Sequence, residues 1–423
     1  MLSRERPEGR NAAIVGLLDI GTSKIACLIA ALEPAEGERS GPRAKVLGVG
    51  HMRSKGLKGG VITDLAESEA AIRATIAQAE RMAHVTLEEV FVSVSCGRLQ
   101  SSNFTATADI EGGVVRAEDI DRLMAAARSY AERDGRTLIH LNRIGFRLDG
   151  VSGSDDPRGM AAERLAADLH TVAADEGPVR NLLLVVDRCY LSVRALVAAP
   201  YASAIAATSE EERRLGVTCI DIGGGTAGVA AFAEGHFIHA ATVPMGGHHI
   251  THDIAHALQM PLAEAERIKT LYGTMIPAQS DEHEVFSFAL TGEEEGARGR
   301  ATKAQLSGII RPRVADILGL VRERMEQAGV SAYAGERVVL TGGSSGLVGL
   351  GEFAANTLGR PVRVARPHQV GGLPQGVTSP AFSTVAGLLA VAAAGGEQTG
   401  AYGGAEGAGY FGRVGQWLKA GFG

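Results

Sequence analysis

Two acidic residues open two glycine-rich turns: Asp19 in Asp19-Ile-Gly21-Thr22-Ser23-Lys24, and Asp221 in Asp221-Ile-Gly223-Gly224-Gly225-Thr226. Such turns can aim successive backbone N–H groups at phosphate oxygens, because glycine allows close backbone approach. A carboxylate there repels phosphate directly, so Asp19 and Asp221 would act through a divalent metal and its waters. Lys24 adds positive charge, and Thr22, Ser23 and Thr226 add hydroxyl donors. A third run, Val338-Val-Leu-Thr341-Gly342-Gly343-Ser344, ends an apolar strand in a glycine pair suited to packing on a nucleoside. The first two turns are not Walker loops or dinucleotide fingerprints, since an apolar strand rather than a helix follows each.

The elements that must hold these turns read as α/β. Apolar strands at 14–19 and 24–31 flank the first turn, and helical periodicity follows over 65–82. The order strand, Asp, small apolar residue, glycine turn, strand recurs 202 residues later, which predicts two related halves. Between them, 90–170 reads as a separate α+β block: a strand at 90–95, a helix at 117–132, the apolar run 138–148, a turn-rich stretch at 153–159, then a return to helix. An α/β stretch resumes at 182–186, followed by the apolar run 193–207. Helices are expected at 250–257, 261–272 and 309–328, a strand-turn-helix unit at 337–358, and a closing helix at 383–394.

Composition narrows the function. The chain has 423 residues, 45% hydrophobic and 21% charged, enough for several cores. A net charge of −6 without a basic cluster interleaved with aromatics argues against nucleic acid as a partner. The four cysteines stand apart with no CxxC pair, which reads as buried thiols in a reducing compartment. Residues 1–13 carry three Arg and two Glu without an apolar stretch, and read as a disordered arm rather than a signal peptide. No apolar run approaches the length of about 18 residues needed to span a bilayer, so membrane contact would be peripheral. His248, His249, His252 and His256 recur at helical spacing, a pattern that reads as capping and solvated histidines because it lacks an HExxH arrangement.

Segment 395–409 contains 7 Gly in 15 residues and reads as a flexible linker. Beyond it, Tyr410, Phe411, Val414, Trp417, Leu418 and Phe422 fall within an arc of roughly 140° on a helix. Arg413 and Lys419 bracket that arc, which suits a helix lying at a lipid headgroup boundary.

As a set, Asp19-Ile-Gly-Thr, Asp221-Ile-Gly-Gly-Gly-Thr and Leu340-Thr-Gly-Gly resemble the two phosphate motifs and the adenosine motif of the actin and heat-shock-chaperone ATPase superfamily. Within it the chain resembles the FtsA family of bacterial division actins, on Lys24 after the first turn, the run Gly56-Leu-Lys-Gly-Gly-Val-Ile-Thr-Asp64, Glu212-Arg-Arg-Leu-Gly216, and Ser383-Thr-Val-Ala-Gly-Leu-Leu389. The resemblance implies an actin-like fold divided as follows: 14–89 with 171–207, 90–170 inserted, 208–245 with 335–394, 246–334, the linker 395–409 and an amphipathic membrane-targeting helix at 410–423. It implies ATP with Mg2+, its phosphates met by Asp19, Gly21, Thr22, Ser23, Lys24, Gly223, Gly224, Gly225 and Thr226. Gly342, Gly343 and Ser344 would flank adenosine, and Glu266 and Lys269 would lie against ribose and adenine. Asp19 and Asp221 would hold the metal through water.

The same resemblance implies filaments tethered to lipid on the inner face of the cytoplasmic membrane at the septum. The C-terminal tail of FtsZ would bind on 246–334, with Arg300, Lys303, Arg311 and Arg313 as candidate contacts, and other division proteins would bind on the insert. Where active relatives place a Glu or Gln to orient water, this chain has Ala198-Ala199-Pro200-Tyr201-Ala202, so no catalytic residue is assigned and hydrolysis is expected to be slow. The rival readings are a small-molecule kinase of the same superfamily and a pilus-assembly actin homologue.

Overall fold

A computed structural model describes residues 12–33, 43–132, 135–292, 298–330, 333–367 and 373–395. The expected N-terminal arm up to residue 11, nearly all of the glycine-rich linker and the amphipathic helix with Tyr410, Phe411, Val414, Trp417, Leu418 and Phe422 lie outside these residues.

The first half begins with β1 (Ala13–Ile20), β2 (Lys24–Glu33), β3 (Arg43–Arg53), the short pair β4 (Leu57–Lys58) and β5 (Val61–Ile62), then α1 (Leu65–Ala83) and β6 (Glu89–Val94). The chain then leaves for β7 (Gln100–Asp109), α2 (Ala117–Ala131), β8 (Arg136–Leu148), β9 (Val151–Ser154) and β10 (Arg164–Asp175). It returns through α3 (Glu176–Arg188), β11 (Ser192–Ala198) and α4 (Ala199–Ala207). The second half comprises α5 (Glu210–Leu215), β12 (Val217–Ile222), β13 (Ala227–Ala233), β14 (His236–Val243), α6 (Gly247–Leu258), α7 (Leu262–Tyr272), β15 (Val285–Ala289), β16 (Arg298–Thr302), α8 (Lys303–Gln327), β17 (Val338–Thr341), α9 (Leu350–Leu358), β18 (Val362–Val364) and α10 (Ser383–Ala393).

The predicted relation between the halves is explicit in the sheets. The first runs β3-β2-β1-β6-β11 and the second β14-β13-β12-β17-β18. In both, the leading three strands are antiparallel neighbours and the remaining two join in parallel. Hydrophobic strands buried on both faces suit such a sheet sandwiched between helices. Between the halves lie α4 and α10, both rich in small residues. Their backbones come so close that a side chain at Gly387 would run into the Ala202 carbonyl.

A separate four-stranded antiparallel sheet, β7-β10-β8-β9, carries α2 and has its own core around Leu123, Leu138, Phe146, Leu165 and Leu169. The return to helix expected after 153–159 is corrected here. Arg164–Asp175 is a strand of this sheet, paired with β7 on one side and β8 on the other, and the helix begins only at Glu176. The run 182–186 accordingly lies within α3.

Candidate functional site

The two glycine turns have one construction. Gly21 N–H donates to the Lys24 carbonyl at 3.0 Å, and Gly223 N–H donates to the Thr226 carbonyl at 3.0 Å. The two turns face each other so closely that a Cβ at Gly224 would stand 2.8 Å from Ser23 Cβ, and one at Gly225 would meet the Thr22 side chain. Glycine is therefore required on one turn because hydroxyl-bearing residues fill the other. Gly60 N–H, between β4 and β5, donates to Thr22 Oγ1 at 2.8 Å, which gives the Gly56–Asp64 run a structural role in fixing the first turn.

Around these turns lies a cavity of about 380 Å³, within the size range of small-molecule sites. Asp19, Gly21, Thr22, Ser23 and Lys24 line it from the first half, and Asp221, Gly223, Gly224, Gly225 and Thr226 from the second. Gly342, Gly343 and Ser344 close the far side with Glu266 and Lys269. Gly342 has φ +87°, where a Cβ would stand 2.7 Å from Ile222 N, so only glycine fits this turn. All fifteen residues singled out from the sequence thus border one space.

Charge in the cavity is under tension. Burial raises the Asp221 carboxyl to about 6, Ser203 and Thr384 hydroxyls oppose the rise, and Asp19 adds to it. Ser203 Oγ donates to Asp221 Oδ2, and Thr384 Oγ1 donates to the same oxygen at 3.3 Å. Burial also raises Asp19, against a 2.6 Å hydrogen bond from Ser93 Oγ and the charge of Lys24. Lys24 is lowered to about 8 by burial despite both carboxylates, and its Nζ lies over the Phe382 ring and donates to the Ala381 carbonyl. Two half-buried, desolvated carboxylates with hard oxygen donors and raised pKa values suit a hydrated divalent cation, which would relieve the desolvation penalty on both.

At the other end, Glu266 and Lys269 are more than the exposed pair their spacing alone predicts. Lys269 is 7% exposed. Its Nζ donates to Glu266 Oε2 at 2.6 Å, Thr251 Oγ1 at 2.8 Å and the Gly247 carbonyl at 3.1 Å. Burial pushes the Glu266 carboxyl up, but Lys269 and Thr251 outweigh it and hold it below the ordinary carboxylate value. Of the histidine run, only His248 lines the cavity. His249 Nδ1 accepts the Gly246 N–H at 3.2 Å, and Asp253 is engaged by Arg313. Among the described residues no group of three or more His, Cys, Asp or Glu is placed to hold a metal.

A family model described as "Cell division protein FtsA" matches residues 218–387, and another, "SHS2 domain inserted in FTSA", matches residues 96–173. The chain is 41% identical to "Cell division protein FtsA" of Rhizobium meliloti (strain 1021), across 100% of the chain and 98% of that protein. The chain belongs to the FtsA family. FtsA proteins of Pseudomonas aeruginosa and Escherichia coli (strain K12) are 32% and 30% identical, over 89% of the chain in each case and over 88% and 89% of those proteins. Its role therefore lies in cell division.

The actin-like fold of this FtsA-family chain appears in solved structures of low identity. The "PilM-PilN type IV pilus biogenesis complex" superposes with a TM-score of 0.62 at 16% identity, over 90% of the chain and 99% of that structure. "MreB 5 of Spiroplasma citri bound to AMPPNP" gives 0.50 at 14%, over 91% and 96%. At these identities the likeness concerns the fold alone.

Ser93, Ser203 and Thr384 were not among the residues expected at the site, and His248, expected as a capping or solvated histidine, instead lines the cavity. Ser203 is the one aliphatic hydroxyl in the Ala-rich stretch of α4, and a small polar residue in an apolar helix was the one signal available.

Proposed function

We propose that this FtsA-family chain binds ATP with Mg2+ between its two glycine turns, polymerises, and tethers the FtsZ ring to the inner face of the cytoplasmic membrane at the septum, where it recruits later division proteins. The observation that carries the nucleotide reading is the convergence of two identically built turns, each with a half-buried carboxylate, on one cavity closed by the Gly342 turn. The AMPPNP named for the MreB 5 structure agrees with it.

In this reading Gly21–Lys24 and Gly223–Thr226 orient the phosphates with backbone N–H groups and hydroxyls. Asp19 and Asp221 hold the waters of the metal, which when bound neutralises phosphate charge. Gly342–Ser344 pack on the base, while Lys269 fixes Glu266 toward the ribose.

Hydrolysis is slow because the wall facing the phosphate end presents Ala199 and Pro200. Among the described residues the cavity's carboxylates are Asp19, Asp221 and Glu266, each already engaged by a hydroxyl or a lysine. A kinase would need a free carboxylate base there.

For the FtsZ tail on 246–334, Arg313 and Lys303 are tied to Asp253 and Glu284 and the Arg311 guanidinium lies over the Phe353 ring, which makes Arg300 the strongest candidate of the four. Among the described residues no helix is long and apolar enough to cross a membrane, in keeping with anchoring by residues 410–423.

The test is calorimetric titration of the full chain with MgATP, followed by turnover measurement and co-sedimentation with liposomes and with the FtsZ tail peptide. Binding with turnover well below one per second is expected. Absence of ATP binding, or turnover of several per second, defeats the nucleotide reading as stated. ATP-competent protein that sediments with neither liposomes nor peptide defeats the tethering role.

A further inference from the structure

The inserted sheet touches both halves of the molecule. On one side, His140 Nε2 in β8 accepts the Ala198 N–H at 2.9 Å. Ala198 ends β11, the edge strand of the first sheet, and the next two residues, Ala199 and Pro200, are cavity wall. On the other side, Ser101 Oγ in β7 accepts the Ala240 N–H at 2.6 Å and bonds the Ala240 carbonyl at 2.9 Å. Ala240 lies in β14, the edge strand of the second sheet. Ser101 Oγ is also 2.9 Å from His170 Nε2. Phe237 of β14 packs edge-on to His140 and His170, with ring centroids at 5.7 and 4.8 Å.

His140 is wholly buried, and burial holds its imidazole down at about 3, so the ring is neutral. With Nε2 accepting, its proton is on Nδ1, a buried atom without a hydrogen-bond partner among the described residues. A phenyl ring at this position would remove that orphan donor and leave the Ala198 N–H bare instead. One unmet donor is exchanged for another, so stability alone gives no reason for histidine here. Placement of the Ala198 N–H does.

We propose that the inserted sheet braces the two halves across the cavity, and that His140 is the positioning residue through which the sheet sets the Ala198–Pro200 wall. The inference rests on the nucleotide reading and deepens it, because it specifies how the site is regulated. Occupancy of the cavity and order in the inserted sheet are then linked, each shifting the other by the same factor.

The test compares His140→Phe with His140→Gln, whose amide oxygen offers an acceptor in place of Nε2. MgATP affinity is measured in the full chain well below each variant's melting temperature. The phenylalanine variant is expected to bind at least about five-fold more weakly, and the glutamine variant within about two-fold of wild type. ATP is expected to slow amide exchange across 136–142 in wild type and the glutamine variant but not in the phenylalanine variant.

A purely structural His140 lowers the melting temperature and leaves the affinity of the folded protein unchanged. That result overturns the proposal, as does equal weakening in both variants. If the phenylalanine variant does not fold, Ser101→Ala, which cuts the opposite end of the brace, is expected to lose the exchange response, and retention of that response overturns the proposal. A wild-type chain that binds no ATP overturns the nucleotide reading and this inference together. Normal ATP binding without coupling overturns the inference alone.

Discussion

Asp221 shows what desolvation costs a carboxylate even with Lys24 nearby. Its pKa stands at about 6 against an ordinary 3.8, so between these values the folded chain holds a proton that the unfolded chain has released. Folded-state stability from this group is greatest below about pH 4 and falls as pH rises through 6. Asp221→Asn removes that decline. In melting scans without nucleotide, the variant should gain on wild type by roughly 2–5 °C between pH 4 and 7. The same substitution should abolish the extra stabilisation that Mg2+ adds to ATP, and in wild type that increment should shrink below pH 6, where protons compete for the carboxylate. An Asn variant that melts in parallel with wild type across this range contradicts the assignment.

At this scale the sequence was most informative where chemistry and backbone geometry coincide. Asp19, Lys24, Asp221 and the glycines announce themselves by composition. Lys269 does not, because an (i, i+3) Glu–Lys pair looks the same whether its lysine is solvated or buried against α6.

Among the elements, α4 and α10 carry a prediction of their own. Gly387 admits the Ala202 carbonyl, so Gly387→Val must force the two helices apart. A loss of roughly 2–4 kcal/mol is expected, read as a lower urea midpoint, with Gly387→Ala intermediate. A valine variant as stable as wild type would show that the helices do not pack this closely.

Helix α10 was legible as a closing apolar helix and α1 by its periodicity, whereas α4 showed only as the second part of the apolar run 193–207, whose first part is β11. Strand β10 was not, since its Ala- and Leu-rich sequence favours helix and only pairing with β7 and β8 makes it a strand. Its period-2 set, Leu165, Ala167 and Leu169, was the overlooked signal, and all three side chains are buried in the insert's core. Strand β7, polar and largely exposed at the edge of that sheet, offers little hydrophobic pattern to read.

For the whole molecule, ATP that binds only the folded chain must stabilise it. At a hundred times its dissociation constant the gain is about 2.7 kcal/mol, visible as an upward shift of the melting temperature. Trp417→Glu should leave that shift intact while abolishing liposome binding, because the proposed anchor and the cavity occupy different parts of the chain. Retention on liposomes would assign the anchor elsewhere. The duplication of the fold could be inferred from two short motifs 202 residues apart, but the bridge from the insert to both sheets could not, since its contacts join residues distant in sequence such as Ser101 and Ala240.

The facing turns also bear on the symmetry of the two halves. Gly224 and Gly225 yield the space that Ser23 and Thr22 occupy. Two copies of the first turn, each bearing hydroxyl side chains, would collide at this separation. Consecutive glycines on the second turn are thus what lets two halves of one plan meet in an asymmetric closed site, with a lysine after the first turn only.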